Sequence, residues 1–572
     1  MTARRRATVA AAAVALALLV PAAASAHAYI VKTVPAASVI LSRAPTSVQL
    51  TYDEAVEPRF AIVSVTDVHA RQETTGPVTR SPSDPDTLVV PIRHVGEGWY
   101  LVYWRAISVD GHPVQGAFTF AVGPNAGPAP QFTIPNIAGS ATSTPLVAAK
   151  WLAFLTMMAA IGLFVFRIAI VRPMVRRVPG TSLRALTITF GIVAALALIA
   201  IPVYLEEAVA IDSLRSFWDV TGIVPLWRLT AFGRGWVDIE LCFALFVVAA
   251  AAAIWVDRQQ PERRSVAAIL ALSGAFAAAA AALVLPGTVG HAGQTSPRGV
   301  AVLLDWLHLA SGSVWVGGLM GLLVVWKALP AAKRVAGLVV CVPRFSNVAF
   351  FSVLVLLGTG VGAAVLHLPV LDALWLTSYG KVILIKAGIL LAAMLCAAVN
   401  LLRVKPGLSR TDRGEYSVTL LRELVSAEVI LVSLAILAAA LLSSLPPPPP
   451  AFAEESAALG QIGPGNIVSS LIRDGYQLEI RVTPNQAAAP NTFELRLMRG
   501  GQPVDGANVT LTFSMLDMQM PTQEYQLAET APGVYTRKAP ALVMVGHWGL
   551  DFTITPKHGL PFNALVVDRA GG

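Results

Sequence analysis

Charge is scarce in this chain of 572 residues: only 13% are Asp, Glu, Lys or Arg, and 55% are hydrophobic. An ordinary soluble protein carries about 25% charged residues. The deficit excludes a single water-soluble globule and points to a membrane protein. Cysteine is scarcer still. Cys242, Cys341 and Cys396 are the only three, all in or beside apolar runs, so no disulfide framework holds an exported part together. There is no Cys-x-x-Cys and no Cys/His zinc spacing, which excludes a structural zinc site. No Gly-x-x-x-x-Gly-Lys-Ser/Thr loop occurs, so no nucleotide-driven step is expected. The net charge of +8 sits mostly in short loops between apolar runs. It reads as a topology signal, and no nucleic-acid partner is expected.

What is present falls into segments. Residues 1–26 read as a signal peptide: Arg4, Arg5 and Arg6, then an apolar stretch from Ala7 to Val20, then Ala24-Ser25-Ala26 as an A-x-A cleavage site. Cleavage there makes His27 the first mature residue. Residues 27–125 alternate in short runs (47–52, 61–65, 88–92, 99–106 and 116–122), as in a small all-β sandwich. Residues 126–147 form a linker rich in Pro, Gly, Ser and Asn.

A polytopic α-helical bundle of about eight transmembrane helices is expected over 148–443, with spans near 148–170, 184–204, 235–256, 266–286, 300–326, 346–366, 380–402 and 420–443. The second, fourth and sixth loops hold few Lys or Arg. The other loops hold clusters such as Arg172, Arg176 and Arg177, or Lys333, Arg334 and Arg344. Export of the first domain and the charge bias give one topology, in a bacterial cell (inner) membrane, with both chain ends outside. Residues 444–464 form a Pro-rich linker, with Pro446 to Pro450 in one run. Residues 465–567 alternate again (476–482, 493–497, 507–513, 533–535 and 548–554), a second extracytoplasmic β domain. The fold class is thus a multidomain membrane protein, a helical bundle flanked by two all-β sandwich domains.

Three constellations carry chemistry. In the first, the amine and imidazole of a mature N-terminal His27 can chelate one metal ion, and Asp110-Gly111-His112 offers a carboxylate and a second imidazole. Nitrogen with carboxylate oxygen suits Cu(II). Residues 27–125 contain no methionine, which excludes a thioether Cu(I) site there. The competing reading of Asp110-Gly111-His112 is a turn with a surface histidine.

The second constellation lies in the membrane, where ionisable residues are costly and mark function. His291 sits in Gly290-His291-Ala292-Gly293 near the outer end of the fourth span. Asp305 and His308 share one face of the fifth span, with His308 about 12 Å below its outer start. Met157 and Met158 in the first span fall at similar depth. His291, His308, Met157 and Met158 are expected to form a membrane copper path. Interhelical hydrogen bonding and packing are the competing readings. His367 reads as interfacial. Glu206, Glu207, Asp238 and Glu240 read as lying near water.

The third constellation is Met515, Met518 and Met520, with Met544 and His547 downstream, a soft donor set for Cu(I). Met518 and Met520 can share a strand face, and the alternative is a methionine-filled core.

These residues carry a resemblance. His27, Pro35-Ala36, Leu50 to Glu54, Tyr103-Trp104-Arg105 and Ser108 to Phe120 resemble the CopC family of periplasmic copper-binding proteins. The resemblance implies a Cu(II) site of His27, Asp110 and His112. The methionine-rich Cu(I) site of some members is missing.

Residues 148–443 resemble the CopD family through Gly290-His291-Ala292, Asp305-Trp306-Leu307-His308, Trp315-Val316-Gly317-Gly318, Arg344-Phe345-Ser346, Tyr379-Gly380 with Lys386, and Glu428. The C-terminal domain resembles YtkA-like domains. The implied role is copper transport, usually uptake, and the chain is not expected to be an enzyme. The Cys-Pro-Cys motif of copper-pumping ATPases is absent, so transport would be passive or coupled to another gradient. Copper ions, the lipid bilayer and a soluble copper donor or acceptor are the expected partners.

Other classes remain open at this point. They are a haem- or copper-based membrane electron carrier using His291, His308 and His367, a copper buffer or sensor without transport, and an oxidative copper enzyme.

Overall fold

The computed structural model describes residues 30–37, 39–52, 56–107, 113–126, 143–212, 215–259, 265–371, 373–408, 414–445, 447–448, 461–462, 465–487, 489–516, 523–543 and 546–570. Two compact units result, one helical and one all-β, and the all-β unit holds both β regions.

The N-terminal β region is a sandwich of two four-stranded sheets. One has the order β1 (Ile30–Val34), β3 (Ser47–Tyr52), β6 (Thr87–Pro91), β5 (Thr79–Arg80). The other has the order β2 (Ile40–Leu41), β8 (Pro113–Val122), β7 (Gly98–Ile107), β4 (Ile62–Asp67). Alternation decides which side chains face inward. Val48, Leu50 and Tyr52 of β3 meet Val102 and Trp104 of β7 and Phe118 and Phe120 of β8 in one core. Tyr52 and Trp104 touch edge to face, with ring centroids 5.7 Å apart. Trp104 lies across Gly116, where a Cβ would come within 2.7 Å of the indole.

The C-terminal β region is a ten-stranded sheet. Its path runs β10 (Ile467–Arg473), β11 (Tyr476–Thr483), β12 (Asn491–Arg499), β16 (Val534–Ala539), β15 (Gln523–Ala531), β14 (Asn508–Met515), β17 (Gly546–Thr555), β18 (Phe562–Ala570), β9 (Gln461–Ile462), with β13 (Gln502–Pro503) beside β12. The inward positions Leu478, Ile480, Phe493, Leu495, Leu511, Phe513, Leu550 and Phe552 form its core.

Among the described residues, eight helices are long and apolar enough to cross a membrane. They are α1 (Thr144–Phe166), α2 (Arg184–Asp212), α3 (Ala231–Gln259), α4 (Val266–Val289), α5 (Arg298–Ala328), α6 (Ala331–His367), α7 (Ser378–Val399) and α8 (Gly414–Leu442). Apolar side chains such as Ile192, Leu196, Ile199 and Val203 of α2 face outward, as a lipid-facing surface requires. The sixth helix departs most from expectation. It runs through the Lys333/Arg334 and Arg344 loop as unbroken helix, Pro343 included. Hydropathy finds the apolar window. Ala, Lys and Arg, good helix formers, extend the helix beyond it. Both α1 and α7 end in π-helical turns, over Arg167–Val171 and Asn400–Val404.

The helices α1 and α5 form the packed centre of the bundle, where glycine meets glycine. A Cβ on Gly162 would overlap the Ser313 carbonyl oxygen and the Gly317 Cα, and a Cβ on Gly317 would overlap the Gly162 backbone. The neighbouring Gly318 lies under the Phe345 ring. Backbone cannot move aside as a side chain can, so overpacking here costs about 3 kcal/mol or more. The Gly317→Leu protein is expected to lose its folded, monodisperse peak in size-exclusion chromatography after detergent extraction. A wild-type peak with an unchanged thermal midpoint would show that the helices tolerate separation.

Candidate functional site

His27, Asp110 and His112 lie outside the described residues, but their flanks are placed. Ile30, at the start of β1, pairs with Tyr52, and Tyr52 packs on Trp104 near the end of β7. In the β7–β8 ladder Ile107 stands opposite Pro113. Ile30 and the Ile107–Pro113 pair therefore lie toward one end of the sandwich. Arg105, on the last turn-ward stretch of β7, is fully buried.

In the helical unit, α5, α6 and α7 bring a polar cluster together. His308 is about 15 Å along α5 from Arg298, while Thr359 and Lys386 are each about 12 Å from the nearer end of α6 and α7. The Thr359 hydroxyl donates to the Val355 carbonyl at 2.7 Å. It must therefore accept from His308 Nδ1, 3.0 Å away. That fixes the tautomer: Nδ1 carries the hydrogen and Nε2 keeps its lone pair. The lone pair faces the Lys386 ammonium, which donates to it at 3.4 Å. Asp305, one turn earlier on the same face, is the carboxylate that attracts this ammonium.

Met158 is 5% exposed, and its Cε lies 2.7 Å from where a Gly312 Cβ would stand, one turn deeper than His308. Met157 is buried as well. His291 stands at the start of the short helix His291–Gln294, beyond α4. Thr295 donates to the His291 carbonyl at 2.7 Å and meets His367 Nε2 at 3.3 Å.

Some expected site residues converge and others do not. His308 and Asp305 share a cluster, with Met158 one turn below. His291 belongs to a second group with His367, joined through Thr295. Among the described residues no three His, Cys, Asp or Glu side chains are grouped to hold a metal ion. Glu206 is buried, whereas its sequence context reads as near water. Lys386 and Thr359 have no role legible in sequence. The one available signal is a lone polar residue in an apolar span.

In the C-terminal region Met515 is 3% exposed and belongs to the core, opposite Trp548 across the β14–β17 ladder. His547 is exposed, on the other face of β17, so the two do not share a face. Met518, Met520 and Met544 lie outside the described residues. Asp568 is buried, and its Oδ1 accepts from Asn485 Nδ2 at 2.9 Å. Burial lifts this carboxyl to about 6, partly offset by the Asn485 hydrogen bond and by His547.

Comparison with known proteins adds to this geometry. The CopC domain family matches residues 30–123, Copper resistance protein D matches 339–442, and the YtkA-like family matches 472–553. Copper transport protein CutJ of Bacillus subtilis (strain 168) is 25% identical over 557 residues, 95% of each chain. Copper resistance protein C of Pseudomonas syringae pv. tomato is 33% identical over 111 residues, 18% of this chain and 87% of that one. The crystal structure of CopC from Methylosinus trichosporium OB3b aligns at 25% identity over 18% of this chain and 100% of that chain, with a TM-score of 0.17.

Proposed function

This chain belongs to the CopC family through its N-terminal domain and carries CopD and YtkA-like domains behind it, and from that premise we propose that it binds copper at the outer face of a bacterial cell membrane and carries it inward across the bilayer. Residues 27–125 act as the capture domain, with Cu(II) held by the His27 amine and imidazole, Asp110 and His112. The bundle over 148–443 carries the ion past His291, His308, Met157 and Met158. The domain over 465–567 takes Cu(I) on Met518 and Met520 once a separate reductant has acted; Met515, in the core, and His547, on the opposite face, do not join them. The observation that carries the reading is the His308 imidazole. Its tautomer is set by Thr359 and its free electron pair is aimed at a cation, the arrangement a metal-ligating imidazole needs. Copper is the cargo, and a soluble donor or acceptor would meet the chain at its β domains.

Cellular copper content tests this. Cells carrying the gene are expected to accumulate more copper than the deletion strain at the same external concentration. Equal content in both would remove transport while leaving capture intact.

A further inference from the structure

A second buried polar pair lies in the bundle, away from the His308 cluster and unused by the path above. Glu428 stands halfway along α8 and is 2% exposed; Asn400, at the first residue of the π-helical turn that prolongs α7, is 8% exposed. Asn400 is 14 residues beyond Lys386, about 21 Å along the helix. The Asn400 Nδ2 donates to Glu428 Oε1. The Asn400 carbonyl oxygen, in contrast, is buried and receives no hydrogen bond.

That orphan acceptor is the informative atom. A carboxylate and a carboxamide can make one hydrogen bond, amide to carboxylate. A carboxylic acid and a carboxamide can make two, because the acid O–H also donates to the amide oxygen. The unsatisfied Asn400 oxygen is the acceptor that the second bond requires. An ionised carboxylate in a lipid-embedded bundle, facing no cation, is also costly. We infer that Glu428 and Asn400 form a proton-binding site, with Glu428 carrying the proton that couples copper movement to the proton gradient; the coupling rests on the transport reading above.

Discharging the site breaks the Glu428 O–H bond. The electron pair stays on the carboxylate, the proton passes to a water molecule, which becomes hydronium, and the Asn400 Nδ2 bond remains to hold the anion. A π-helical turn begins at Asn400, and such turns are frequent at functional sites.

The surrounding charges support a neutral resting acid. The helix α8 packs against α1, α5, α6, α7 and the π turn. From α7, Cys396, one helical turn before Asn400, is the titratable group that interacts with Glu428. The cations of these elements are exposed or engaged elsewhere: Lys327, Lys381 and Arg403 are exposed, and the exposed Arg422 of α8 itself lies over the Trp326 ring. Lys150 reaches Ser443 and Ser444, Arg167 and Arg172 pair with Asp257, and Lys386 meets His308. Arg334 and Arg344 bond helix carbonyls, and Lys405 bonds Asn347.

Infrared difference spectra of the purified full-length protein in lipid test proton occupancy without reference to copper. Wild type at neutral pH is expected to show a protonated-carboxyl carbonyl band that the Glu428→Gln protein lacks. Asn400→Ala should shift that band without abolishing it. Identical spectra for wild type and Glu428→Gln would overturn the site. In proteoliposomes, an imposed pH gradient should alter wild-type copper flux, and Glu428→Gln should lose that response while retaining flux without a gradient. A variant that responds like wild type would overturn the coupling. Absence of flux in every protein would instead sink the transport reading, and the infrared band would still decide the proton site.

Discussion

Adding one residue ahead of His27 in the mature protein is expected to lower its Cu(II) affinity by at least about 100-fold, since even changes beyond the ligands of a metal site cost 10–100-fold. The added residue turns the terminal amine into an amide, which has no basic lone pair to offer a metal. The imidazole survives, but the chelate ring of amine and imidazole is lost. The fold should not change, because the insertion falls before Ile30, where the first strand begins. In the unextended protein, affinity should climb between about pH 6 and 8, as the imidazole and then the amine lose their protons. Competition titration against a chelator of known affinity measures both effects. Unchanged affinity in the extended protein would remove the amine from the site.

Replacing His308 with alanine should cut copper flux roughly 10–100-fold or more and leave Cu(II) capture by the N-terminal domain untouched. The argument rests on how this imidazole is held. Thr359 receives its Nδ1 hydrogen at 3.0 Å, which leaves Nε2 as the electron-pair donor. Lys386 donates to that pair at 3.4 Å. On the proposed route copper displaces the ammonium, and Asp305 is the carboxylate toward which it can swing. Alanine removes the ligand and leaves Lys386 near Asp305 alone. Copper loading of proteoliposomes, with Cu(II) titration of the same preparation as control, reads the two effects separately. Flux at the wild-type rate would place the route elsewhere in the bundle.

The architecture is legible in the sequence because it depends on local, repetitive signals. Long apolar windows mark all eight helices, and period-two alternation marks strands such as Tyr476–Thr483 and Asn491–Arg499. Strands without that signal escape. Gln523–Ala531 is polar and mostly exposed on both faces, and Ile40–Leu41 is too short to show a period. The polar cluster is only half legible. Asp305 and His308 are three apart on one helix, so spacing reveals them. Lys386 is 78 positions from His308, and only helix packing brings them together. The same holds for Asn400 and Glu428, 28 positions apart. Met515 shows the opposite difficulty. Its sequence context fits both a sulfur ligand and a packing residue, and its side chain lies in the β core opposite Trp548. The Trp-Val-Gly-Gly stretch is common among membrane helices. Its meaning comes from Gly162 on another helix, against which Gly317 rests.

A lysine resident beside an imidazole also bears on the electrical tightness of the membrane. A passage lined only by carboxylates would invite sodium and potassium and let the resting voltage drain through it. Here a lysine stands beside the imidazole, and a tethered positive charge repels hard monovalent ions that gain little from a nitrogen ligand. On the proposed route only a metal that bonds strongly to nitrogen evicts the lysine, so the bilayer is expected to keep its voltage.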